Sequence, residues 1–126
     1  MFKKSFWFSF IPTVVWCFVI LLGSFISTSE IPSIAVSDKL IHFLFYAIFA
    51  VLLYMPIRVN TKRAYSFVLT CVIVFLTGFF LGSIIELVQH LVIDGRFGEY
   101  LDLLANTLGI VTALLICEIL KRKSVL

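Results

Sequence analysis

An all-α, integral membrane bundle of four transmembrane helices is the fold class this chain predicts, and three observations lead there. The chain has 126 residues, of which 62% are hydrophobic, and its mean hydropathy is +1.16. A soluble domain of this length leaves much of its surface in water and cannot bury so large an apolar area. Lipid must then act as solvent, and in hydrocarbon only helices and closed barrels satisfy every backbone polar group. Barrel strands would alternate apolar and polar residues over segments of about ten, whereas the apolar runs here are continuous and of helix length.

The first helix is predicted over residues 6–26. Its basic start (Lys3, Lys4) would suit a signal peptide, but its apolar run of about twenty residues exceeds the usual 7–15, which predicts a retained helix. A polar connection from Ser27 to Ser33 follows, and Ser37-Asp38 offers an N-cap to a second helix over 40–56 that ends at Pro56. The third helix is predicted over 64–93. Asp94-Gly95-Arg96-Phe97-Gly98-Glu99 turns the chain into the fourth, over 100–120. With no internal repeat and no low-complexity tract, residues 1–126 read as a single transmembrane domain. Cys17, Cys71 and Cys117 all fall inside apolar runs; their odd number and lack of metal-ligand spacing predict small packing residues.

Orientation follows from Lys and Arg near the helix ends. Lys3, Lys4, Arg58, Lys62, Arg63, Lys121, Arg122 and Lys123 fall on one side, Lys39 and Arg96 on the other. Both chain ends are therefore expected in the cytoplasm, with the first and third connections outside.

The polar residues inside the helices gather near that outer face. His42 lies one turn into the second helix, about 6 Å from its outer end, and Glu86 lies about 12 Å along the axis from Asp94. Gln89 and His90 occupy the last turns of the third helix, Asp102 and Asn106 the first two of the fourth. Asp38, His42 and Tyr46 share one face, as do Gly78, Gly82, Glu86 and His90, and as do Asp102, Asn106, Gly109 and Ala113. The glycines permit close helix approach on those same faces. Polar groups between membrane helices commonly act as glue worth about 1 kcal/mol each, which would suffice for Gln89, Asn106 and Tyr46. A carboxylate as deep as Glu86 costs at least ~2.5 kcal/mol when ionised, so it points to function, with His42, His90 or Arg96 as partner.

The series Asp38-Lys39-x-x-His42-x-x-x-Tyr46, then Glu86-x-x-Gln89, Arg96, and Asp102-x-x-x-Asn106-x-x-Gly109 resembles the VanZ-like family of bacterial membrane proteins over about residues 37–113. The resemblance implies a multi-pass protein of the bacterial plasma membrane and an association with resistance to glycopeptides of the teicoplanin type. It also implies Asp38, Lys39, His42, Tyr46, Glu86, Gln89, Arg96, Asp102 and Asn106 as site residues, with Gly109 as a motif position. The chain departs from the family pattern at Glu99, where a small hydroxyl residue is common, and at Ala113, where a second glycine is usual.

Three kinds of function suit such a layer. The first is a site for a membrane lipid headgroup or a lipid-linked peptidoglycan precursor, with Arg96 and Lys39 on phosphate and the other polar groups on sugar or peptide. The second is an intramembrane enzyme using His42 with Glu86 or Asp102 as acid and base; no nucleophile motif accompanies them, since a helical serine such as Ser83 ordinarily bonds its own backbone. In a metal-assisted variant His42, His90, Glu86 and Asp102 would be the ligands, but their spacing matches no known motif, so neither a metal nor a cofactor is expected. The third is a structural subunit whose polar layer serves assembly. A nucleic-acid partner is not expected, because there is no phosphate-binding loop and no extended basic surface outside the cytoplasmic connections.

Overall fold

A computed structural model describes residues 4–25, 35–59, 65–92 and 100–123. The elements are α1 (Lys4–Phe8), α2 (Ile11–Phe25), α3 (Ala35–Tyr54) continued by a π-helical turn (Met55–Val59), α4 (Phe67–Val92) and α5 (Tyr100–Arg122). Among the described residues, four spans are long and apolar enough to cross a membrane: Ser5–Phe25, Lys39–Arg58, Phe67–Val92 and Tyr100–Arg122. Among the described residues there is no strand. Large apolar side chains such as Trp7, Leu22, Val68, Phe80, Leu91 and Leu115 face outward, as expected when lipid is the solvent.

Prolines set the irregularities. Pro12 has no N–H for the Phe8 carbonyl, and its ring crowds the preceding turn. The chain tightens there: Ser9 N donates to Ser5 O and Phe6 O at 3.2 and 3.1 Å, and Phe10 N to Trp7 O at 3.2 Å. α1 and α2 thus form one span with a break of identifiable cause. Pro56 acts similarly on α3, which does not stop there, as the sequence predicts, but widens into the π turn. The Leu52 carbonyl, four residues before Pro56, instead receives the Thr13 hydroxyl of α2 at 2.8 Å. Replacing Thr13 by the isosteric valine removes that donor; the expected loss is about 0.6 kcal/mol, and at most about 1.7, read as a lower unfolding temperature in detergent. A Thr13→Val protein as stable as wild type would mean that the Leu52 carbonyl needs no partner.

The remaining ends follow local chemistry. The second helix is already formed at Ala35, so Ser37-Asp38 lies in its opening turns and is not the N-cap that the sequence suggests. An acidic residue there still suits the positive end of the helix dipole. Ser66 caps α4, its Oγ accepting Leu69 N at 3.1 Å. With 26 residues, α4 is about 39 Å long, more than the roughly 30 Å of hydrocarbon, so it must tilt or project. α5 ends in Lys121 and Arg122, cations at the negative end of its dipole.

α3 is the central element and packs most extensively on α5. Tyr46, Phe49, Ala50 and Leu53 meet Ile110, Ala113, Leu114 and Cys117 of α5, Val74 and Ile85 of α4 and Ile20 of α2 in one core. Gly109 sits where α3 and α5 approach: a Cβ there would meet the backbone of Phe43 and lie 3.1 Å from Ala47 N. α2 is tied on by polar bonds to backbone. Besides Thr13, Trp16 Nε1 donates to Phe45 O at 2.9 Å, and Gln89 of α4 donates to Ser24 O. The three cysteines are unpaired, Cys117 buried and the other two partly so.

Candidate functional site

The polar side chains of α3, α4 and α5 meet at the end of the bundle where α3 and α5 begin and α4 finishes. One turn of α3 presents Lys39 and His42, with Tyr46 a turn deeper; α5 presents Asp102 and Asn106, also one turn apart. The close α3–α5 contact at Gly109 brings these two faces together. Lys39 Nζ forms an ion pair with Asp102 Oδ1, at the mouth of the group: the ammonium side chain keeps 24% exposure and the carboxylate only 5%. His42 lies just below, with Nδ1 and Asn106 Oδ1 at 3.0 Å and Nε2 and Asp102 Oδ2 at 3.5 Å.

The contact with Asn106 is a hydrogen bond for one tautomer of His42. An amide oxygen can only accept, so in that tautomer Nδ1 carries a proton and donates it to Asn106. In the neutral ring, Nε2 is then a bare lone pair aimed at a carboxylate oxygen. Both His42 and Asn106 are buried, at 7% and 1% exposure.

Glu86 of α4 completes the group. One ligand-type atom from each of His42, Glu86 and Asp102 lies within 4.8 Å of the other two, and the Glu86 charge is within electrostatic reach of the buried Tyr46 phenol. Gly82, one turn before Glu86, makes room for this. A Cβ at Gly82 would stand 2.9 Å from Asn106 Nδ2 and 3.4 Å from the Tyr46 hydroxyl. The glycine therefore lets the amide that holds His42 sit flush against α4.

Of the residues expected at the site, Lys39, His42, Tyr46, Glu86, Asp102 and Asn106 are thus brought together. Gln89 turns elsewhere: it is 1% exposed, donates to the α2 backbone at Ser24, and its Oε1 has no hydrogen-bond partner among the described residues. Asp38 belongs to the second turn of α3, but its side chain lies outside the described residues, as does Arg96 altogether. His90, grouped with the acids as a ligand candidate on sequence, is exposed on α4 and is not in the three-residue group. Ser83 Oγ donates to Phe79 O at 2.8 Å, the backbone bond expected of a helical serine, so it supplies no activated hydroxyl.

The part that sequence reasoning missed is the pairing. Lys39 and Asp102 each stand out as interfacial charges, but nothing in the chain says that they join across 63 residues. Spacing likewise left Asn106 as one more polar residue and not the one that orients His42. At the opposite end of the bundle a smaller polar set forms around Glu118, which accepts from Tyr54 Oη and pairs with Arg122 Nε, each at 3.3 Å.

The sequence model of the VanZ/LLP1 family matches residues 2–121, nearly the whole chain. No curated protein and no solved structure is similar enough to count as a match.

Proposed function

The chain belongs to the VanZ/LLP1 family, and from that premise we propose that this VanZ-type multi-pass membrane protein binds the head of a membrane lipid or of a lipid-linked peptidoglycan precursor. The site is the Lys39–His42–Tyr46–Glu86–Asp102–Asn106 group, at the outer face of the bacterial plasma membrane. The observation that carries the reading is the convergence of donors and acceptors from three helices beneath a mouth where Lys39 remains partly exposed. Soluble small-molecule sites combine apolar walls with a few converging polar groups; here the lipid phase supplies the walls. The outer placement is supported by the eight Lys and Arg residues expected at the opposite face.

The division of labour follows from the contacts. Lys39 is engaged by Asp102, so contact with a phosphate falls chiefly to Arg96, whose fork suits bidentate recognition. Glu86, Asp102, Tyr46 and Asn106 read hydroxyl and amide groups of sugar or peptide. Occupancy of such precursors would lower their availability to glycopeptides, which connects the site to teicoplanin resistance.

The test combines two readouts on the same variants. Purified wild-type protein is expected to retain an anionic lipid through gel filtration in detergent, and Arg96→Ala to lose it. In a sensitive host, wild type is expected to lower teicoplanin susceptibility, while Glu86→Gln and His42→Ala at equal membrane levels do not. Unchanged lipid on Arg96→Ala would take the phosphate contact away from Arg96, and equal protection by all variants would remove the polar group from the function.

A second reading is favoured by the His42–Asp102 approach at 3.5 Å: an acid–base site acting on the lipid-linked group. Hydrolysis or transfer would then use water or a substrate hydroxyl as nucleophile, since Ser83 is committed to its own helix. Release of product from a labelled lipid-linked precursor, absent in His42→Ala, would distinguish catalysis from binding.

A further inference from the structure

We propose that His42, Glu86 and Asp102 form a binding site for one divalent transition-metal ion of the zinc class. The proposal goes beyond lipid binding and stands without it, because it rests on the three side chains and the groups behind them.

Charge makes the first case. Among the described residues the group holds two carboxylates, Glu86 and Asp102, together with the ammonium of Lys39. Carboxylates among membrane helices are costly when ionised and sit against cations, and a metal ion is one such cation. Geometry makes the second. His42 Nε2 and Asp102 Oδ2 stand 3.5 Å apart. A charge-assisted hydrogen bond between them would be about 2.7–2.9 Å, so this separation is too long for a good imidazolium–carboxylate bond. It matches the edge between two ligands of a tetrahedral ion, which is about 3.4 Å for bonds of 2.0–2.1 Å. The widest separation in the group is bounded at 4.8 Å, so closing it to a tetrahedral edge needs at most about 1.4 Å of movement. Rotation of the long Glu86 side chain can supply that.

The outer groups make the third. In metal sites a ligating histidine donates its other ring N–H to an oxygen, and ligating carboxylates are hydrogen-bonded in turn. His42 Nδ1 donates to Asn106, leaving Nε2 for the metal. Lys39 takes Asp102 Oδ1, leaving Oδ2, the oxygen that faces Nε2. Both ligands are thus oriented from behind toward one point. One imidazole with two carboxylates favours zinc, cobalt or manganese over magnesium or calcium, which take oxygen alone. Three protein ligands leave at least one position open for water or a substrate oxygen.

The test uses purified full-length protein in detergent, stripped with chelator and then equilibrated with zinc or cobalt alone, without added lipid. Bound metal is measured by mass spectrometry, and the cobalt protein by its visible absorption. Wild type is expected to retain about one ion per chain, with the absorption of a four-coordinate site. Glu86→Gln and Asp102→Asn, which keep shape and remove charge, and His42→Ala are expected to lose it. Asn106→Ala should weaken retention by about 10–100-fold, because it only frees the ring. His90→Ala, outside the group, should retain metal like wild type. Failure of well-folded wild type to hold zinc, cobalt or manganese overturns the proposal, as does retention that depends on His90 and not on His42. Lipid retention by metal-free wild type is a separate readout, so the failure of one reading does not mask that of the other.

Discussion

Replacing Gly109 with leucine is expected to abolish the folded protein. A Cβ at this position meets the carbonyl of Phe43 and lies 3.1 Å from the amide of Ala47. Those are backbone atoms of α3, and no rotamer change moves them. α3 and α5 form the most extensive helix pair in the bundle, so forcing them apart opens the core and separates Lys39 from Asp102. Overpacking by added methylenes costs about 1–3 kcal/mol where side chains can yield; against backbone the cost lies at the top of that range or beyond it. Alanine is the more discriminating substitution. It is favoured over glycine inside a helix by about 1 kcal/mol, so a lower unfolding temperature for Gly109→Ala would show that the clash outweighs propensity. Gly23 supplies the contrast, because a Cβ there meets only the outer edge of the Phe45 ring at 2.8 Å. That ring can shift, so Gly23→Ala is expected to stay close to wild type. Size-exclusion profiles and melting curves of the three variants decide the matter. A Gly109→Leu protein that elutes and melts like wild type would mean that the α3–α5 approach is not as close as described.

The same region shows how far the sequence can be read. The four spans were legible because continuous apolar runs of helix length have no other stable form in lipid. The polar faces were legible because residues at i and i+4 stack on one side of a helix, which placed His42 with Tyr46 and Asp102 with Asn106. What spacing cannot carry is partnership between helices. The Lys39–Asp102 pair depends on the relative rotation of α3 and α5, and that is set at Gly109 by close approach rather than by either charged residue. Gln89 illustrates a second blind spot. Its partner is the backbone carbonyl of Ser24, and a backbone acceptor leaves no mark in a sequence. The same holds for Thr13 on Leu52 and Trp16 on Phe45, the bonds that fasten α2. The π turn after Tyr54 was hidden because Pro56 reads as a stop signal, whereas a donor from another helix can meet the carbonyl it abandons.

Removing Lys39 alone should be nearly as damaging as overpacking at Gly109, and the reason separates folding from function. Lys39→Met preserves the length and apolar stem of the side chain but takes the ammonium from Asp102, whose carboxylate is 5% exposed. Breaking one side of a fully buried ion pair costs about 3–5 kcal/mol, because the other charge remains desolvated, and with Lys39 partly exposed at the mouth the loss falls toward or below the low end of that range; a hydrophobic replacement of both is often neutral. Measured in chelator, so that no metal ion stands in for the ammonium, Lys39→Met is expected to lower the unfolding temperature sharply. The Lys39→Met/Asp102→Leu double variant should recover most of the loss. In it His42 keeps its bond to Asn106, and the paired charges have gone together. A coupling of about 0.5–3 kcal/mol between the two positions is the expected signature of direct contact; additive losses would place them out of contact. The double variant then puts the main question to a folded protein. If it is stable but no longer retains lipid or metal, the Asp102 carboxylate belongs to the site and does not serve packing alone. If it is stable and retains both, the pair serves only the packing of α3 on α5, and the site must be drawn around His42, Glu86 and Asn106 without it.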